Sequence, residues 1–232
     1  MRIYPAAILF VFLCLSPAES WAEKNYRVVV FGDSITSGYQ LQANDAFPSK
    51  LERRLRASGY DRLEVINMSK ENATTASATE ETGLVAQKLP DVIIVQLGYN
   101  DTKRGVIASA IASNLNTIIS DLVNTKAYII LVGIPAPEGI HEHYSYEVAS
   151  YFYSIARSFA IPLYPSAIAG IEGNAALTMA DGKHPNTAGV DVMVEGLLPL
   201  VDSGLRWRYE VYEQELQQAK KNQNALVMPP PP

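Results

Sequence analysis

The sequence predicts an α/β protein, a three-layer α/β/α sandwich around a five-stranded parallel sheet. Three observations lead there. Five short apolar runs rich in β-branched residues recur along the chain. Segments with apolar residues at three- and four-residue spacing separate them. The first, third and fourth runs are nearly continuous in Val, Ile and Leu, as expected of strands covered on both faces. Strand and helix in alternation imply right-handed crossovers and two helical layers on one parallel sheet.

The elements follow in order. Arg2, the apolar run 6–15 and the small residues flanking Trp21 in Ser20-Trp21-Ala22 form a signal-peptide pattern over residues 1–22. The apolar run is short for a bilayer, so cleavage is expected rather than a retained anchor, and no stable membrane insertion after it. The single cysteine, Cys14, falls in this segment, so the mature chain would have neither disulfides nor a thiol nucleophile. A periplasmic or secreted location is expected. The strand at residues 26–31 leads to a helix at 47–58, with Pro48 in its first turn and Gly59 at its exit. Strands at 63–68, 92–97, 127–132 and 161–163 alternate with helices at 78–88, 106–124 and 146–159, and a last core helix runs over 187–201. One folded body therefore spans residues 23–203, and residues 204–232 form a polar helical extension with a proline tail. The extension reads as a mostly solvated appendage.

Charge narrows the partners. The formal net charge is −5, and no Lys/Arg cluster offers a basic face, which argues against nucleic acid. The run from Arg53 to Arg56 contains Leu55 and reads as the solvated side of a helix. His141-Glu142-His143 lacks the further ligands a metal site needs, so neither metal nor cofactor is expected. Nothing in the sequence calls for an oligomer, and a monomer is expected.

In such sheets the loops beyond the carboxyl ends of the strands gather the functional groups. The first strand runs into Gly32-Asp33-Ser34-Ile35-Thr36. Taken alone, this segment fits either an exposed reactive hydroxyl at Ser34 or a serine or threonine capping a helix. The third strand ends in Gly98-Tyr99-Asn100-Asp101, which brings a carboxamide to the same edge or simply makes a turn. Near the carboxyl end, Asp181-Gly182-Lys183-His184 places a carboxylate and an imidazole close enough for one hydrogen bond. That is the arrangement of a base and its orienting group. No Gly-x-Ser-x-Gly elbow occurs, which argues against an α/β-hydrolase fold.

Together, the three segments resemble the first, third and fifth blocks of the SGNH/GDSL hydrolases. The resemblance covers about residues 26–203 and is closest to the bacterial thioesterase, lysophospholipase and arylesterase branch. It implies a flavodoxin-like sheet and a serine esterase acting on small-molecule or lipid esters or thioesters. Ser34 would be the nucleophile, His184 the general base and then acid, and Asp181 the orienter. The oxyanion would rest on the Asn100 side chain and the Ser34 backbone N–H. The family's second block normally supplies a glycine N–H as a further donor, and that position falls here on Asn72. Asn tolerates left-handed backbone better than most residues, so its N–H can still serve. Tyr99 would line the acyl pocket. The loop from Pro135 through Ile140 would border the cleft and contact substrate, with residues 140–146 as a lid. Carbohydrate O-acetyl ester hydrolysis or acyl transfer is the alternative reaction, and a non-catalytic binding protein the alternative class. Asn67, Asn72 and Asn100 also begin Asn-x-Ser/Thr sequences, so the active-site reading requires them unglycosylated.

Overall fold

The computed structural model describes residues 24–134 and 142–227. The signal-like segment, Pro135, Ile140, His141 and the proline tail lie outside the described residues. Five strands, β1 (Tyr26–Gly32), β2 (Leu63–Asn67), β3 (Val92–Gln96), β4 (Tyr128–Val132) and β5 (Leu163–Tyr164), form one sheet in the order β2-β1-β3-β4-β5. Every pairing is parallel, with Val28 opposite Val65 on one side and Val92 on the other. This is the flavodoxin-like strand order, with its switch point between β1 and β3.

Eight helices surround it among the described residues: α1 (Ser34–Ser37), α2 (Phe47–Ala57), α3 (Thr75–Thr79), α4 (Thr82–Ala86), α5 (Tyr99–Lys103), α6 (Ala108–Val123), α7 (Glu142–Ser158) and α8 (Thr187–Val227). Side chains alternate along each strand, so Val28, Val30, Val92 and Ile94 meet Leu51 and Leu55 of α2 and Val190 and Leu197 of α8. Val29, Ile93 and Val95 face the other way, onto Leu115 and Ile118 of α6 and Val148 and Phe152 of α7. Both faces of β3 are thus fully buried, as its unbroken apolar sequence requires.

Four elements depart from expectation. The helix expected at 78–88 is two short helices, because Thr79 and Thr82 hydroxyls donate to the Ala76 and Thr79 carbonyls and compete with the main-chain ladder. The strand expected at 161–163 is shifted to Leu163–Tyr164, and Pro162 contributes only its carbonyl, to Leu131 N. Helix α7 starts at Glu142, so Glu142 to Tyr146 are helical rather than a lid loop. The core helix and the polar extension are one helix that continues through Pro199. A proline there forfeits one main-chain hydrogen bond, but Met193, Val194, Leu197, Val201 and Leu205 are all buried against the sheet and hold the helix on both sides of it. The extension is docked at its start: Trp207 lies 5.6 Å from Tyr128, ring centre to ring centre, and Arg208 reaches Asp91 at 3.5 Å. Residues 217–222 are exposed. No helix among the described residues is long and apolar enough to cross a membrane.

Candidate active site

The site is assembled at the carboxyl edge of the sheet, from the segments that follow β1, β2 and β3 and the loop that enters α8. At the end of β1, Gly32 permits a close approach that a side chain would forbid, since a Cβ there would fall 2.2 Å from Thr36 Oγ1 and 2.9 Å from the Gln96 carbonyl. Asp33 then caps α1, its Oδ1 accepting from Ile35 N at 3.0 Å, and Ser34 opens the helix with 8 % of its surface exposed. The helix cap is thus Asp33 and neither Ser34 nor Thr36, and Ser34 stands as the buried first residue of the helix. Burial pushes the Asp33 carboxyl up to about 7, against the hydrogen bond from Ile35 N, which pulls it down.

The loop before α8 brings the imidazole. Asp181 Oδ1 accepts from the backbone N–H groups of Lys183 and His184 at 2.9 and 3.0 Å, which curls the loop tightly. Its Oδ2 lies 2.5 Å from His184 Nδ1, and His184 Nε2 lies 3.0 Å from Ser34 Oγ. Burial raises the Asp181 carboxyl, but the bonds from the His184 ring and the two backbone N–H groups outweigh it and hold the group at about 2. Asn186 fastens the loop to the helix: its side chain accepts from Ala188 N and Gly189 N and donates to the Ala176 and Thr178 carbonyls. Buried Lys50 on α2 donates to the Thr187 carbonyl at 2.8 Å and pairs with Asp191 at 2.6 Å. The imidazole thus stands on a supported hinge of chain.

The third side of the site is a pair of facing loops. Asn100, 7 % exposed in α5, donates its side-chain amide to the Ala73 carbonyl at 2.9 Å. Asn72 is in the left-handed region, with φ of 60°, as its position in the loop requires. Arg104 Nη2 approaches the Asn72 carbonyl at 3.3 Å, and Lys70 N donates to the Gly32 carbonyl at 3.0 Å. Beneath them Asp101, 1 % exposed, accepts from Thr75 N at 2.9 Å and from Thr75 Oγ1 at 2.7 Å, and Asn114 Nδ2 donates to the same hydroxyl. These bonds tie the Asn72 loop to the Asn100 helix.

Of the residues expected in the site, Ser34, Asp181 and His184 form one hydrogen-bonded chain. Asn72 and Asn100 stand on the facing loops. Tyr99 is a correction: its side chain is 1 % exposed and packs in the core with Ile35 and Phe47, so it supports the loop from beneath instead of lining an open pocket. Pro135 and Ile140 lie outside the described residues. A small apolar cavity near this edge, of about 30 Å³, is walled by Ile134, Tyr144, Val148, Phe152, Leu163 and Thr102 of α5. The α7 residues among them show in the sequence only as the apolar face of a helix. Tyr39, whose ring lies against His184, and the Asp101–Thr75 link were likewise missed.

Comparison with known proteins bears on the whole of this edge. The sequence profile of the GDSL-like lipase/acylhydrolase family matches residues 30–192. An arylesterase of Vibrio mimicus is 32% identical over 178 residues, 76% of this chain and 87% of that protein. The thioesterase 1/protease 1/lysophospholipase L1 of Escherichia coli K12 is 26% identical over 198 residues, 83% of this chain and 92% of that one. Among solved structures, the crystal structure of TesA superposes with a TM-score of 0.73 at 26% identity, over 77% of this chain and 99% of that chain. The chain belongs to the GDSL-like lipase/acylhydrolase family and is an ester-hydrolysing serine hydrolase.

Proposed function

We propose that Ser34 is the nucleophile of a two-step acyl transfer to water, with His184 as base and Asp181 as its orienter. The observation that carries this reading is the chain of contacts from Ser34 Oγ to His184 Nε2 at 3.0 Å and from Nδ1 to Asp181 Oδ2 at 2.5 Å. Asp181 keeps the Nδ1 proton in place, which leaves Nε2 free to take the serine proton as Oγ attacks the carbonyl carbon. The imidazolium then protonates the departing alcohol or thiol, and the acyl group remains on Ser34. A water that gives its proton to Nε2 releases the acid and restores the serine. Negative charge on the substrate oxygen meets the Asn100 amide and the backbone N–H groups of Ser34 and Asn72. The left-handed backbone of Asn72 supports its part.

The acyl group runs from Ser34 toward the apolar side chains at the ends of β4 and β5, Ile134 and Leu163, and the leaving group exits past His184. The enzyme works as an exported monomer after residues 1–22 are removed, with residues 23–203 as the catalytic body and 204–232 as an appendage. Hydrolysis of p-nitrophenyl acetate, butyrate, octanoate and palmitate, and of octanoyl-CoA, tests the assignment. Ser34→Ala is expected to abolish turnover while leaving the circular dichroism spectrum and melting temperature at wild-type values. Turnover at the wild-type rate in that variant overturns it.

A further inference from the structure

We propose that Tyr39 is a positioning residue for the base, holding the His184 ring by its face and favouring its protonated form during turnover. The inference rests on the reading of His184 as the general base. The two ring centres are 4.4 Å apart and the planes are inclined by 36°, so the phenol ring covers a face of the imidazole. Both imidazole nitrogens are already engaged in the plane of the ring, Nδ1 with Asp181 and Nε2 with Ser34. The two nitrogens are separated by Cε1 alone, and contacts at both leave the ring free to rock about the line joining them. A contact on the face is the one that stops this motion.

An aromatic face suits that place for two reasons. It competes for neither nitrogen, so the proton transfer between Ser34 and Nε2 is undisturbed. Its negative quadrupole also attracts a cation more than a neutral ring, so the contact strengthens when imidazole becomes imidazolium. The groups facing His184 are then Asp181 from its own loop, Ser34 from the start of α1, and Tyr39 from the turn after α1.

The local backbone is arranged to deliver the ring. Gly38 ends α1 with φ of 89°, and a Cβ there would come within 2.4 Å of the Ala46 Cβ. Leu41 N closes the turn on the Gly38 carbonyl at 3.0 Å. Gln40, itself left-handed with φ of 54°, donates from Nε2 to the Tyr39 phenol oxygen at 3.0 Å. The hydroxyl is thereby held at the exposed rim, and the ring, not the hydroxyl, addresses the histidine.

Tyr39→Phe and Tyr39→Leu separate the ring from the hydroxyl. On p-nitrophenyl acetate, Tyr39→Leu is expected to lower kcat about three- to tenfold with KM unchanged within about twofold. The midpoint of the acid limb of its kcat/KM profile should move down by about 0.5 pH unit, because the protonated ring has lost its support. Tyr39→Phe should restore both quantities. The same downward displacement should appear in an NMR titration of the His184 ring, a readout that does not depend on turnover. Ser34→Ala assayed in parallel separates the two readings: turnover at the wild-type rate there refutes the assignment of Ser34 and its base, while the ring titration still judges Tyr39. The proposal is overturned if the His184 titration midpoint in Tyr39→Leu is unmoved or shifts upward, the latter meaning that the ring only shields the histidine from water. It is equally overturned if Tyr39→Phe behaves as Tyr39→Leu does.

Discussion

Replacing Thr75 by valine keeps the shape of a fully buried side chain and removes one hydroxyl, which makes it a clean probe of how the oxyanion side of the site is held. That hydroxyl donates to Asp101 Oδ1 at 2.7 Å and accepts from Asn114 Nδ2 at 3.0 Å, while the Thr75 main-chain bond to Asp101 Oδ2 survives the change. A hydrogen bond to a carboxylate contributes about 1.5–3 kcal/mol net, and Asp101 is too deeply buried for water to replace the donor. Asn114 is only half-buried and can turn to solvent, which adds little. The expected loss is about 2–3 kcal/mol, which for a chain of this size lowers the melting temperature by about 4–12 °C. The rate should fall as well. The Asn72 loop loses one of its ties to the Asn100 helix, and a displacement of about 1 Å in such a site costs up to about 100-fold. Thermal unfolding by circular dichroism, with kcat measured well below the transition, gives both numbers. Melting within about 1 °C of wild type together with an unchanged kcat would refute the argument that this link holds the loop.

The facing loops allow a second comparison. Asn100→Ala should lower kcat by about 10²–10³ with little change in KM, the cost of one oxyanion donor. Asn72→Gly, which keeps the N–H in a backbone already left-handed, should leave kcat within about threefold, so a large gain there would mean the asparagine obstructs the site. For Asp181 the folded-state value of about 2 lies below the usual carboxylate value of 3.8. Its bonds therefore contribute stability that is present above about pH 4 and lost as the pH falls toward 2, and unfolding transitions recorded over that window should fall less steeply in Asp181→Asn. The same variant should lose kcat by on the order of 10⁴, as when a triad carboxylate becomes an amide and the imidazole takes the wrong tautomer.

Much of this molecule could be read from the chain because its strands are buried on both sides. Val92 to Val95 leave no doubt about a central strand, and the alternation of such runs with helical patterns determines the layers. The hydrogen-bonded trio of Ser34, His184 and Asp181 was legible because each member sits beside a sharp local signal, a strand end for Ser34 and a tight acidic turn for His184. What stayed hidden depends on contacts between distant segments. Thr75 and Asp101 are 26 residues apart, and each taken locally is only a turn-favouring residue. Tyr99 misled for a related reason: its neighbour Asn100 reaches across to the Ala73 carbonyl, but in a helical turn the adjacent side chain points elsewhere, here into the core. The expected helix over 187–201 already ran through Pro199; its continuation into the polar extension stayed hidden because it depends on distant contacts of Leu205 and Trp207.

The 150 residues that separate Ser34 from His184 bear on how the enzyme comes into being. Closing a loop of that length costs entropy that only a largely completed fold can offset. The proposed nucleophile is made early on the ribosome and its proposed base very late, after all five strands. On that assignment a nascent chain contains the serine without the means to activate it, and hydrolytic competence is among the last properties the molecule acquires. Recovery of esterase activity after denaturation is for the same reason a stricter gauge of complete folding than recovery of helical signal, since it registers the meeting of the two ends of the body.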